Sequence, residues 1–103
     1  MKKLLLLNPP FLPNYSRDSR SPAVTRSGTI YYPIWLSYAA GYLIRNKVNV
    51  KLIDAIAEPV PWKQFSKYLS DENYDIIAIH TSTPSIESDG KIAQDIKKIL
   101  PTA

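Results

Sequence analysis

The chain has no cysteine and only three glycines and one histidine in 103 residues. The first absence excludes a disulfide framework and any iron–sulfur cluster held by this chain alone. It is in keeping with a cytoplasmic protein. No Gly-x-Gly-x-x-Gly or Walker loop exists, so the usual dinucleotide and nucleotide phosphate cradles are missing. The acidic residues that a phosphoryl receiver needs after its first and third strands are missing too. No apolar run approaches the ~18–20 residues that cross a membrane. The leucines of Met-Lys-Lys-Leu-Leu-Leu-Leu are too few for a secretory signal and stop at Asn8-Pro9-Pro10. A net charge of +4 is modest, and no helix-turn-helix, zinc finger or aromatic RNA-binding signature accompanies it. Lys91, Lys97 and Lys98 read as the solvated face of a helix.

What is present is a pair of Pro-containing loops, each directly after a short apolar run. Residues 3–7 run into Asn8-Pro9-Pro10. Residues 75–80, Asp-Ile-Ile-Ala-Ile-His, run into Thr81-Ser82-Thr83-Pro84-Ser85. Short apolar runs that end at turn residues, separated by helical patterns, predict buried parallel strands. A third run, 49–55, lies between them.

Helix one is predicted from Pro33, which suits a first helical position. Leu36, Ala39, Ala40, Leu43 and Ile44 form its apolar stripe. Gly41 lowers helix propensity by about 1 kcal/mol, and close packing is the expected reason for it. Pro59 and Pro61 precede helix two, where Trp62, Phe65 and Leu69 share a face; 71–73 end it. Helix three follows Thr83-Pro84, with Thr83 as expected N-cap, Ile92, Ile96, Ile99 and Leu100 as buried stripe, and Pro101 as stop.

This alternation predicts an α/β, Rossmann-like parallel sheet with right-handed crossovers. Strand three is almost wholly apolar and is therefore expected inside a sheet, yet the chain ends where a fourth strand would begin. The expectation is an N-terminal part, residues 1–103, of a longer domain. In open α/β sheets, ligands bind outside the carboxyl ends of strands at the switch point. The two loops are the candidates for that place.

The order and spacing of Leu6-Leu7-Asn8-Pro9-Pro10, of 33–43 (Pro-Ile-Trp-Leu-Ser-Tyr-Ala-Ala-Gly-Tyr-Leu), of 50–55 and of 75–85 resemble the cobalamin-binding domain at the N-terminus of cobalamin-dependent radical S-adenosylmethionine (SAM) enzymes. The resemblance implies a flavodoxin-like, three-layer α/β/α fold with strand order 2-1-3, incomplete here. It implies a continuation into a fourth strand, a Gly-rich loop and a radical SAM barrel with a three-cysteine motif, all absent from this chain. The parent protein would then carry cobalamin, a [4Fe-4S] cluster and SAM, and act as a methyltransferase or related Fe–S oxidoreductase. This piece alone has no catalytic and no metal-binding residue.

Many cobalamin domains carry Asp-x-His-x-x-Gly, whose His ligates cobalt. That motif is missing, so the resemblance implies a base-off corrinoid with no protein His ligand. His80 reads as a packed or hydrogen-bonded residue at a strand end. Asn8, Pro9, Pro10, Thr81, Ser82, Thr83, Pro84 and Ser85 are the candidate cofactor contacts, through hydroxyl, amide and backbone groups. Each polar one has a structural use as well: Thr83 as a cap, Asn8 in an Asx turn. Asp54 reads as a local hydrogen-bond acceptor.

Residues 9–32 form a loop of about 24 residues without a period. Its Arg17, Arg20 and Arg26, with Tyr15, Tyr31 and Tyr32, would cover a cofactor, dock a following domain, or stay mobile. Two other function classes stand beside the corrinoid one: a non-catalytic interaction domain, and another flavodoxin-like binder such as a flavin domain. The expected partners are a corrinoid, the following radical SAM domain, and a second copy of this piece through the free edge of strand three, with no nucleic acid and no membrane.

Overall fold

The computed structural model describes residues 2–18, 23–24 and 33–103. The elements are β1 (Lys3–Asn8), β2 (Tyr15–Ser16), β3 (Ala23–Val24), α1 (Ile34–Arg45), β4 (Asn49–Asp54), α2 (Trp62–Glu72), β5 (Ile76–Ile79), a 3-10 turn (Thr83–Ser85) and α3 (Ile86–Ile99). β1 lies in the centre of a three-stranded parallel sheet of order β4-β1-β5. Leu7 stands opposite Ile53 on one side and Ile79 on the other. In the sequence numbering of the three apolar runs this is order 2-1-3, as expected.

Period-two alternation sorts β1 between two faces. Leu5 and Leu7 are fully buried in a cluster with Phe65, Leu69, Tyr74, Ile96 and Leu100, supplied by the α2 and α3 side. Leu6, also buried, points to the opposite face. α1 packs there, against β4 and β1. The result is three layers.

Several details differ from the sequence expectations. The buried side of α1 is centred on Ala40, with Leu36, Ser37 and Leu43 half-buried; Ala39 and Ile44 are exposed. The Ser37 hydroxyl donates to the Pro33 carbonyl (2.9 Å), so this polar residue takes a place on the inner side. Gly41 is exposed, and a Cβ there would meet nothing within 4 Å, which overturns the close-packing reason. Thr83 does not cap α3. It opens the 3-10 turn, α3 begins only at Ile86, and neither has a side-chain cap. The Ser85 N–H is taken instead by the Ser82 carbonyl (3.1 Å).

Within the long loop, Tyr15 and Ser16 pair antiparallel with Val24 and Ala23. Two residue pairs are too few to show a period, so this ladder was invisible in the sequence. Arg20, Arg26, Tyr31 and Tyr32 lie outside the described residues. Among the described residues β5 pairs only with β1, so it is an edge; Ile76 and Ala78 are exposed there.

Candidate functional site

The parallel register brings the ends of β1 and β5 side by side, so the two Pro-containing loops meet at the switch point. Asn8, the last residue of β1, is buried. Its amide donates to Asp54 Oδ1 at the end of β4 (3.0 Å), and its Oδ1 accepts from Arg17 Nη1 (3.0 Å). Asp54 Oδ1 also accepts the N–H groups of Ile56 and Ala57 (both 3.2 Å), which closes the turn after β4. Asn8 therefore bridges two elements across the sheet rather than making a local turn.

Arg17 reaches inward from the loop. Nη1 also donates to the Pro9 carbonyl (2.6 Å), and Nη2 donates to Asp89 Oδ1 in the first full turn of α3 (2.6 Å). Both side chains are almost fully buried, at 1% and 2% exposure. The guanidinium sits 5.9 Å from the Phe11 ring centre and 5.5 Å from that of Tyr15, within cation–π range. An ion pair away from water is costly to the extent that its remaining bonds go unmet. Asp89 meets them through Oδ2, which accepts from Thr81 Oγ1 (2.8 Å) and Ser85 Oγ (2.7 Å). Ser82 Oγ is shared with Ser85 Oγ (2.6 Å) and with the Tyr15 hydroxyl (2.8 Å).

The neighbouring Asp18 reaches His80 Nε2, just past β5 (2.5 Å). His80 is thus a hydrogen-bonded strand-end residue. Two consecutive loop residues, Arg17 and Asp18, thus hold the first turn of α3 and the end of β5.

Of the eight candidate contacts, Asn8, Pro9 and Ser85 are buried, Pro10 and Ser82 are half-buried, and Thr81, Thr83 and Pro84 are exposed. Hydrogen bonds through Arg17, Asp89 and Tyr15 tie Asn8, Pro9, Thr81, Ser82 and Ser85 together. Sequence reasoning did not single out Asp18 and Asp89. The available signal for Asp89 was its spacing of four from Ser85, which places both on one side of a helix. Among the described residues, no group of three His, Asp or Glu side chains is placed to hold a metal ion.

A flavodoxin-like sheet with two strand-end loops meeting at its switch point defines a ligand-binding α/β domain. The B12 binding domain family matches residues 20–103, and the chain belongs to it. No curated protein and no solved structure matches the chain. β1, Arg17 and Asp18 precede the matched span, whereas His80, the 81–85 loop and Asp89 fall inside it.

Membership implies cobalamin, and the arrangement described here has no room for a corrin between the loops. Their polar groups are bonded to one another and three of the candidates are buried. Two cavities border this point: one of about 250 Å³ lined by Pro10, Ile53, Ala55, Val60, Trp62 and Phe65, and one of about 300 Å³ that reaches Asp54. Ordinary small-molecule sites enclose roughly 300–1,000 Å³, and a corrin is larger than the ligands that fill them.

Proposed function

We propose that this chain is the corrinoid-binding part of a cobalamin-dependent radical SAM enzyme, of the methyltransferase or Fe–S oxidoreductase type. Family membership carries the corrinoid half of this reading. The radical SAM half is supported by the Leu-Asn-Pro-Pro and 33–43 motifs and their order along the chain. Under it, residues 1–103 are the N-terminal portion of the binding domain, and the [4Fe-4S] cluster, SAM and the chemistry belong to a following barrel. The absence of cysteine supports a cytoplasmic location, and no helix among the described residues is long and apolar enough to cross a membrane.

The proposed corrinoid contacts are Asn8, Pro9, Pro10, Thr81, Ser82, Thr83, Pro84 and Ser85. Under this reading cobalt takes no histidine from this chain, because the Asp-x-His-x-x-Gly motif that carries the ligating His is missing. In the absence of such a metal–nitrogen bond, affinity rests on shape and on hydrogen bonds to the corrin's amide rim.

One observation favours a second reading. The closed hydrogen-bond network at the switch point is what a domain would show that keeps the fold for interaction and binds no corrinoid. Gel filtration after incubation with hydroxocobalamin or with FMN separates the possibilities. Co-elution of cobalamin absorbance supports the proposal. Co-elution of FMN alone supports a flavin domain, and neither ligand supports the interaction domain. A Cys-x-x-x-Cys-x-x-Cys motif in the following reading frame would support the radical SAM assignment.

A further inference from the structure

The space in which the fold places a ligand is filled by this chain's own loop. We infer that residues 11–18 form an intramolecular plug of the switch point, latched by Arg17–Asp89 and Asp18–His80, and that the ligand site opens when the latch releases.

Three observations carry this. First, the plug sits on the groups a ligand would use. Arg17 takes the Asn8 side chain and the Pro9 carbonyl, and Tyr15 takes Ser82. Asp89, held by Arg17, takes Thr81 and Ser85.

Second, the closed state is imperfectly satisfied. Arg17 Nε and Asp18 Oδ2 are buried and have no hydrogen-bond partner among the described residues. Both belong to charged side chains, for which an unmet bond away from water is costly. Water would meet both once the loop lifts, so closure carries a penalty that opening removes.

Third, the plug is fastened by polar groups more than by packing. Tyr15 is buried, with Phe11 edge-on to it at 4.7 Å, but Leu12 is exposed, and the hydrophobic cluster under the sheet contains no residue of 11–18. A segment held by a few charged bonds can detach while the core stays intact.

The plug also comes from outside the matched span, whereas its seats on His80, Ser82 and Asp89 lie within it.

The test uses the full chain, in which a thiol introduced by Ser85→Cys is unique because the protein has no cysteine. Ser85 is buried and joined to the plug through Ser82, which Tyr15 holds, and Asp89, which Arg17 holds, so its labelling by a thiol reagent reports opening. Arg17→Ala breaks the latch but strands a buried carboxylate. Arg17→Ala with Asp89→Asn breaks it without leaving a charge behind, and circular dichroism checks that the fold persists. Asp18→Asn loosens the second latch.

If the plug is closed in at least nine molecules of ten, release speeds labelling about 10-fold or more and tightens hydroxocobalamin binding by a similar factor. This last arm rests on the corrinoid reading. Labelling at the unmodified rate in folded Arg17→Ala/Asp89→Asn and Asp18→Asn proteins would overturn the plug. So would weaker or equal cobalamin binding by a variant whose labelling is unchanged. Faster labelling with no cobalamin binding by any form supports the plug and removes the corrinoid reading.

Discussion

Leu7→Ala gives the sharpest quantitative test of the fold, because it probes a strand that precedes the family's matched span. Leu7 is fully buried in the central strand, between Ile53 and Ile79, and belongs to the cluster with Phe65, Leu69 and Ile96. Truncation removes the transfer free energy of three carbons and leaves a cavity that flanking strands cannot collapse. The expected loss is about 3–4 kcal/mol. Against a total of roughly 5–15 kcal/mol for a single domain, that is a large share. The urea midpoint should fall by about 2 M if the slope is typical of small domains, and the melting temperature by about 12–30 °C. Two controls grade the scale. Ile96→Val, at a buried position of α3, should lose about 1 kcal/mol. Leu12→Ala, at an exposed position, should stay within about 0.5 kcal/mol of the parent. A Leu7→Ala loss no larger than that of Leu12→Ala would refute β1 as the centre of the sheet.

Thr83→Ala should leave stability within about 0.5 kcal/mol, since Thr83 caps nothing, and weaken corrinoid binding; Asn8→Ala should lower stability by at least about 1 kcal/mol, because Asp54 and Arg17 both lose a buried partner. Urea titrations beside cobalamin titrations separate the two effects. Burial first, and then the 2.6 Å hydrogen bond with Tyr68, raise the Tyr74 phenol above its ordinary value of 10.0. The folded state therefore resists deprotonation more than the unfolded chain does. That contribution is complete below pH 10 and is lost as pH climbs above it, and Tyr74→Phe should flatten the decline seen in urea midpoints between pH 9 and 11. The unpaired edge of β5, with Ile76 and Ala78 exposed, should associate with a second copy of the chain. Sedimentation at about 100 µM, within the range where such edges become a hazard, should show dimer for the parent and monomer for Ile76→Lys; a monomeric parent would count against edge pairing.

The sheet was legible because its three strands are short apolar runs that end at turn residues; helical connections make them parallel, and the order β4-β1-β5 was implied by the family resemblance. Helix positions were legible from the Pro residues and from stripes such as Phe65 and Leu69 or Ile96 and Leu100. The orientation of α1 was less so. Ala39 and Ala40 are chemically alike, and only the strands beneath decide which one turns inward. Thr83 misled because a hydroxyl before a proline is a common cap, whereas here a 3-10 turn intervenes before α3 begins. The place of the candidate site was legible from the two loops. Its contents were not. Arg17 and Asp89 lie 72 positions apart, and no period or spacing connects them. The buried charge pair appears only when the loop is folded back over the strand ends, and it determines which candidate contacts are exposed and which are covered.

The central claim is that this chain binds a corrinoid at the switch point without a histidine on cobalt. Electron paramagnetic resonance of cob(II)alamin bound to the full chain under reducing, anaerobic conditions tests it directly. The account predicts a base-off spectrum with no nitrogen coupling from the protein, unchanged when histidine is labelled with 15N. Coupling that responds to the 15N label would place His80 on cobalt and contradict the account, and so would the failure of cobalamin to bind at all.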